Sequence, residues 1–307
     1  MNRLRIGLLT NPSAAAGAAQ RIGRHVDSLL QMSGLSVIDL SGPTAAVAKA
    51  RVEEIKYDLT ALVVVGGDGT AALGASCVAG TQVRLGIVPA GSGNDLARAL
   101  GLPLNNPDEA VRVLLHALSR PVVRMDAIEL SGTGQDKPTL VLGNVSLGFD
   151  ALVNARANRS RGPLGRRYTV AVIRELARFS ALPYWVEIDG GERQAIDAAL
   201  ITLCNSGVMG GGMVISPDSS AFDGALELAV VDAMPRRRLV RLFPKVFSGT
   251  HTNLSEFAVH PVRESITVGL RDSRHLRAFA DGEPHGALPI TARIRPGAVR
   301  ILMEPED

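Results

Sequence analysis

Ala61-Leu62-Val63-Val64-Val65-Gly66-Gly67-Asp68-Gly69-Thr70 is the stretch that decides the fold of this 307-residue chain. Five apolar residues in succession, with no polar alternation, read as a strand buried on both faces, as in a parallel sheet. Glycines follow at once, and a helical pattern over 71–79 follows them. That order puts the loop at the carboxyl end of a strand, where open α/β sheets bind their ligands. Glycine lets the backbone approach an anion, and free N–H groups at a helix start point toward it. Asp68 inside such a loop makes chemical sense when a divalent cation lies between the carboxylate and phosphate.

Working outward, strands and helices alternate. Strand patterns cover 6–10, 35–40 and 85–89; helical patterns cover 17–32, 45–56 and 108–118, and another helix opens at Asn94-Asp95. The expectation is an α/β layered, parallel-sheet domain over residues 1–126. Beyond it the texture changes. Strand-like runs at 139–146, 184–189, 195–204, 225–231, 265–270, 276–280, 291–295 and 298–303 are interrupted by helical patterns at 167–179 and 235–247. A mostly antiparallel, β-rich second domain over 127–307 is the reading, with the strands near 298–307 free to pack back on the first.

Composition excludes several classes. Two cysteines, Cys77 and Cys204, give neither a disulfide framework nor a metal-ligand spacing, which fits a reducing compartment. Aromatic residues are 4% and no basic–aromatic stretch appears, so nucleic acid is not an expected partner. No leader pattern or membrane-spanning run is visible, so any membrane contact is expected to be peripheral. All basic residues except Lys49, Lys56, Lys137 and Lys245 are arginine. Base composition of the genome and bidentate anion recognition both account for that preference.

A second glycine loop follows the next strand: Pro89-Ala90-Gly91-Ser92-Gly93-Asn94-Asp95-Leu96-Ala97-Arg98. Gly91 and Gly93 alone are a weak signal, and Asn94 or Asp95 equally suits a helix cap. Consecutive parallel strands, however, bring both loops to one sheet edge. Together the two motifs resemble the diacylglycerol kinase catalytic family, which includes sphingosine, ceramide and bacterial soluble lipid kinases. The likeness runs from Thr10-Asn11-Pro12 to Asp281-Gly282-Glu283, and is greatest to actinobacterial members.

The resemblance implies a two-domain enzyme with a β-sandwich second domain and the active site in the cleft. ATP would be held by Thr10, Asn11, Pro12, Ser13, Ala14, Ser41, Gly66, Gly67, Asp68, Gly69, Thr70, Ala71, Ala72, Leu73, Gly91, Ser92, Gly93 and Asn94. Ala72-Leu73 stands where many relatives carry a polar Asn-Glu pair. Glu283 would be the general base, with Asp68, Asp95 and Asp126 forming an acidic network; Asp126 also suits a capping role at the domain junction. Mg²⁺ would be bound by Asp223 with the carbonyls of Ser220 and Ala225, and phosphate met by Arg98 and Arg166. The acceptor implied is the hydroxyl of diacylglycerol, giving phosphatidic acid for phospholipid biosynthesis.

Another lipid hydroxyl, on a sphingoid base or glycolipid, fits the same residues, and a nucleotide-binding regulator without turnover is the rival of a different class. The expected setting is cytoplasmic, peripheral to the inner face of the membrane, with a homodimer left open. Five arginines within 156–167 read as a solvated face or as a phosphate- or membrane-contacting segment. The stripe Arg236-Arg237-Arg238, Leu239, Phe243, Val246 and Phe247 reads as core or as an interfacial helix.

Overall fold

The structure is a computed structural model that describes residues 4–11, 18–148, 181–281 and 283–304. Pro12, Ser13, Ala14 and Arg166, the basic segment 156–167 and the expected helix over 167–179 lie outside these residues. The chain divides into two compact units, Met1–Asp126 with Pro296–Asp307, and Ala127–Arg295.

The first unit runs β1 (Arg5–Thr10), α1 (Ala18–Met32), β2 (Ser36–Asp39), α2 (Ala45–Ile55), β3 (Ala61–Gly66), α3 (Asp68–Val78), β4 (Arg84–Pro89), α4 (Asp95–Ala99) and α5 (Pro107–Leu118). The strand order is β2-β1-β3-β4, with every pairing parallel. All six residues of β3 are buried, which is why its sequence shows no alternation. Its side chains divide between two layers. Val63 and Val65 join a cluster with Val26 and Leu30 of α1 and Leu114 of α5. Val64 faces α3, whose Gly74 leaves no room for a side chain: a Cβ there would lie 2.5 Å from Val64 Cγ1. Local signals set the helix starts. Thr44 Oγ1 accepts from Val47 N at 3.3 Å, and Asn106 Oδ1 accepts from Glu109 N at 3.2 Å ahead of Pro107.

The second unit follows as β5 (Val123–Thr133), which begins in the first unit, then β6 (Thr139–Val141), β7 (Asn144–Gly148), β8 (Leu182–Ile188), β9 (Gln194–Cys204), β10 (Val208–Met209), β11 (Met213–Val214), β12 (Leu226–Asp232), α6 (Arg236–Leu242), β13 (Phe257–Val262), β14 (Ser265–Leu270), β15 (Arg277–Ala280) and β16 (Glu283–Ile301). The main path is β13-β12-β9-β7-β15-β16, with antiparallel pairing, and β8 and β14 extend it between β9 and β16. Its core gathers Ile128, Leu147, Tyr184, Ile201, Leu228 and Ile266.

Three elements differ from the sequence reading. The helical pattern over 235–247 is α-helix only through Leu242 and tightens to a 3₁₀ turn over Phe243–Ser248, because Pro244 lacks an N–H. β13 carries Pro261, which discourages a strand assignment; as an edge strand paired only with β12, it tolerates the missing donor. The two expected strands at 291–295 and 298–303 are parts of β16, whose last residues, Arg300 and Ile301, run parallel to β4 in the first unit.

Asp189, at a left-handed φ of 50°, ties the end of β8 to the turn before β14. Its carboxylate accepts from Arg263 N at 3.0 Å, Glu264 N at 2.8 Å and Ser265 N at 3.0 Å. Burial alone would raise this carboxyl, but the three donors outweigh it and hold the pKa below the ordinary value. A depressed folded-state pKa contributes stability above the unfolded value near 3.9 that is lost as pH falls through the folded one. Asp189→Ala is therefore expected to melt a few degrees lower at pH 7. Thermal melts should show the gap shrinking as pH drops below about 4.

Candidate active site

The two glycine loops meet backbone to backbone. A Cβ on Gly91 would lie 2.4 Å from Gly67 Cα and 3.0 Å from Gly67 N, so neither loop could hold this position with a side chain between them. Ala90 N donates to Gly66 O at 2.8 Å just behind the contact. Gly66 is constrained too, since a Cβ there would sit 2.3 Å from Thr70 Oγ1. Asn94 takes a left-handed φ of 54° and closes its loop: Oδ1 accepts from Gly91 N at 2.9 Å and Nδ2 donates to Gly91 O at 3.0 Å. The structure thus gives Asn94 a loop-holding role in place of a side-chain cap.

Asp68 joins the loops. Its Oδ1 accepts from Leu96 N at 3.0 Å, fixing the start of α4 against that of α3. Its Oδ2 lies 3.1 Å from the point a Cβ of Gly93 would occupy, and Asp95 Oδ2 lies 3.6 Å from the same point. Two carboxylates therefore flank Gly93, beside the start of α3. Gly69, in the first turn of α3, faces open space, as a Cβ there would meet nothing within 4 Å. Ala71 is buried and Ala72 and Leu73 half-buried, while Ser92 and Arg98 are exposed. Thr10 N donates to Ser41 Oγ at 2.9 Å, and Asn11 N donates to Val65 O at 3.2 Å, so β1 and the β2–α2 connection reach the same sheet edge. Asp126 is buried, with Oδ1 accepting from Gly297 N at 2.6 Å. Among the described residues no group of three or more His, Cys, Asp or Glu side chains is placed to hold a metal ion. Asp68 and Asp95 are a pair, and Asp126 does not complete a metal-holding triad with them.

In the second unit, Asp281 has a left-handed φ of 48° and clamps the turn ahead of Glu283. Its carboxylate accepts from Leu142 N at 3.2 Å and Gly143 N at 3.1 Å, and a Cβ on Gly143 would sit 2.4 Å from Asp281 Oδ1. Glu283 itself is exposed and opens β16 opposite Ala280. His285 stands two residues further along. Burial lowers its pKa, partly offset by a hydrogen bond to the backbone at Ala280 and by the Glu283 carboxylate. The lowered pKa favours the neutral imidazole beside the acids of that turn.

The 220–225 loop is anchored by Glu227, which receives the hydroxyls of Ser216 and Ser219. Asp223 is exposed, and its Oδ1 accepts from Ala225 N at 2.9 Å. One carboxylate beside half-buried Ser220 and Ala225 fits a hard, oxygen-seeking, partly hydrated cation. Softer ions would ask for His or Cys, and none lies in this loop. Close by in sequence, Leu239, Phe243, Val246, His251, Leu254 and Phe257 line an apolar cavity of about 70 Å³. Leu239, Phe243 and Val246 of the expected stripe thus pack inward, and Phe247 stays exposed. His251 Nε2 is bonded to Ile215 O at 2.9 Å, and its buried Nδ1 has no protein partner.

Sequence reasoning found the glycine loops and missed Asp281, Gly143 and Glu227. The signal for Asp281 was present in its neighbours, since Asp before Gly suits a left-handed turn, but the N–H groups that donate to it lie nearly 140 residues upstream.

The chain is similar in sequence and fold to known proteins. Residues 5–127 match the family described as "Diacylglycerol kinase catalytic domain", and residues 143–303 match "YegS C-terminal NAD kinase beta sandwich-like domain". The chain is 34% identical to a diacylglycerol kinase of Mycobacterium tuberculosis, over 97% of this chain and 94% of that protein. The fold matches the crystal structure of a diacylglycerol kinase from Bacillus anthracis with a TM-score of 0.72 and 18% identity, over 99% of this chain and 98% of that one. It also matches yeast NADH kinase complexed with NADH, with a TM-score of 0.56 and 14% identity, over 100% and 85%. The chain is a phosphotransferase of the kind that uses an alcohol group as acceptor. It belongs to the diacylglycerol kinase family of lipid kinases.

Two glycine substitutions separate packing from ligand space. Gly91→Ala forces two backbones apart and is expected to destabilise by about 1–3 kcal/mol, the usual size of an overpacking penalty. Gly69→Ala meets no protein atom and gains helix propensity, so its melting temperature should hold or rise while nucleotide affinity falls. Melting curves paired with nucleotide titrations check both.

Proposed function

We propose that the chain transfers the γ-phosphoryl group of ATP to the hydroxyl of diacylglycerol, producing phosphatidic acid and ADP. The observation that carries this reading is the pair of carboxylates, Asp68 and Asp95, flanking Gly93 where two glycine loops present their backbones. That arrangement suits a polyphosphate bound with a divalent cation. Thr10, Asn11, Ser41, Gly66–Thr70 and Gly91–Gly93 hold the nucleotide, Asn94 keeps the second loop closed, and Arg98 meets phosphate.

In the transfer, the acceptor oxygen forms a bond to the γ-phosphorus while the bond from that phosphorus to the β,γ-bridging oxygen breaks. The electron pair leaves on ADP, and the hydroxyl proton passes to Glu283. Glu283 suits this role: it is exposed, on a turn that Asp281 clamps, so its carboxylate is presented on a fixed backbone. Catalysis by such a site is mostly positioning and charge stabilisation. Asp68 and Asp95 are the residues that would hold Mg²⁺ beside the phosphates, where the ion would neutralise charge on the transferring group. A second Mg²⁺ at Asp223, with the carbonyls of Ser220 and Ala225, would be structural.

An apolar acceptor is supported by the cavity beneath Leu239, Phe243 and Phe257, which suits hydrocarbon better than a sugar or small polar alcohol. Among the described residues no helix is long and apolar enough to cross a membrane. The proposed approach to a lipid is therefore from the bilayer surface, with Arg237 and exposed Phe247 as the contacting groups near the cavity.

Glu283→Gln keeps shape and removes the proton acceptor. Turnover should fall by roughly 10²–10⁴-fold with nucleotide affinity unchanged. Near-normal turnover would remove Glu283 from the base role. Asp223→Ala should erase the rise in melting temperature that added Mg²⁺ gives the parent protein, because a ligand binding only the folded state stabilises it. Equal Mg²⁺ response in both proteins would rule the site out.

A further inference from the structure

A second opening lies in the first unit, away from the glycine loops. It is a groove of about 420 Å³ beside the carboxyl ends of β1 and β2, lined among others by Thr10, Gln20, Arg24, Asp27, Asp39 and Ser41. Its space depends on Gly23 of α1, where a Cβ would sit 2.4 Å from Thr10 Oγ1. Two acids against one arginine make the wall net negative, so a phosphate is disfavoured there. A neutral group rich in hydroxyl donors is favoured.

Its position fits the nucleoside end of a nucleotide. Thr10 pairs with Val65, the residue before Gly66, and Leu8 pairs with Asp39. Adjacent strands are about 4.8 Å apart and rise about 3.3 Å per residue, so Asp39, level with Leu8 and Val63, lies roughly 10 Å across the sheet and about 10 Å back along it from Gly66, about 14 Å in all. A triphosphate laid on that loop extends its sugar over this distance. Asp39 Oδ1 accepts from Ser41 N at 2.9 Å, which holds the carboxylate at the groove and leaves Oδ2 as an acceptor. Asp27 uses its Oδ1 on Gln31 Nε2 at 2.8 Å, along its own helix. On α3 the half-buried Ala72 and Leu73 offer no polar side chain, so the sheet-edge carboxylate is the natural partner for sugar hydroxyls. An acid at the end of a neighbouring strand serves ribose in the same way in dinucleotide-binding sheets.

We propose that this groove takes the ribose of the nucleotide, and that Asp39 accepts hydrogen bonds from its 2′- and 3′-hydroxyls, selecting ribonucleotides over deoxyribonucleotides. The inference rests on the ATP-dependent kinase reading and adds a specificity-determining residue to it.

Calorimetric titration of the full chain with ATP, 2′-deoxyATP and 3′-deoxyATP tests it, alongside lipid phosphorylation with the same nucleotides. The parent protein should bind at least one deoxy analogue roughly 10–100-fold more weakly than ATP, the size of a hydrogen bond to a charged acceptor. Asp39→Ala should bind ATP about as weakly as the analogues, erasing the gap. Asp39→Asn retains Oδ1 for Ser41 N and should narrow the gap without lowering the melting temperature. Equal binding of ATP and both analogues by the parent protein overturns the inference, and so does an undiminished preference in Asp39→Ala. So does a parent-like preference in Asp39→Asn alongside an Asp39→Ala that loses all three nucleotides equally, since Asp39 would then serve the turn alone. Failure to bind ATP at all overturns it together with the kinase reading. Ribose selection that depends on Asp39, without any lipid phosphorylation, supports the inference and overturns only that reading.

Discussion

The near-contact of Gly67 and Gly91 is the constraint on which the site depends. Two parallel strands end side by side, and each must turn into a helix without a side chain entering the gap. With hydrogen in place of Cβ at both positions, the loops touch, Ala90 bonds back to Gly66, and Asp68 reaches across to Leu96 N. One consequence is mechanical, since α3 and α4 are held in one arrangement. The other is electrostatic: the same contact brings the carboxylates of Asp68 and Asp95 together beside Gly93, at the first turn of α3. Carboxylates so placed would repel a bare phosphate, which is why the proposed nucleotide site includes a divalent cation between them and the phosphates.

Each of the two units uses the same device to hold an acid. In the first, Asp68 is fixed by a backbone donor from the neighbouring loop. In the second, a left-handed Asp281 accepts two backbone N–H groups and so positions the exposed Glu283. Glu227 does likewise for the Asp223 loop through two serine hydroxyls. The residues proposed to meet reacting groups are thus exposed or half-buried, while Asp281 and Glu227, which hold their loops, are engaged with backbone or hydroxyl donors. This division suits phosphoryl transfer, in which positioning supplies most of the rate.

Much of the first unit was legible because its signals are local. The apolar run of β3, the glycines after it and the caps at Thr44 and Asn106 each act within a few residues. The second unit was harder to read. Pro261 disguised an edge strand, Pro244 shortened a helix, and β16 was continuous where Pro296-Gly297 suggested a break. Site residues divide the same way. Gly67, Asp68 and Gly91 declare themselves by spacing, and the family resemblance supplied Glu283 and Asp223. Asp281 shows only the local signal of Asp before Gly, and Glu227 and Asp39 show none, because their importance lies in donors, hydroxyls and a groove brought together only by the fold. Asn94 looked like a ligand or a cap, and holds its own loop closed.

Transfer of the ATP γ-phosphoryl group to a lipid hydroxyl is the proposed reaction. Its most direct measurement is incubation of purified protein with γ-labelled ATP, Mg²⁺ and vesicles carrying, in separate reactions, diacylglycerol, a sphingoid base or a glycolipid, followed by separation of the lipids. The account predicts label in phosphatidic acid, dependent on Mg²⁺ and produced at the highest rate from diacylglycerol. Label in another lipid would keep the chemistry and replace the acceptor. No label in any lipid, from protein that binds ATP and melts cooperatively, would contradict the account.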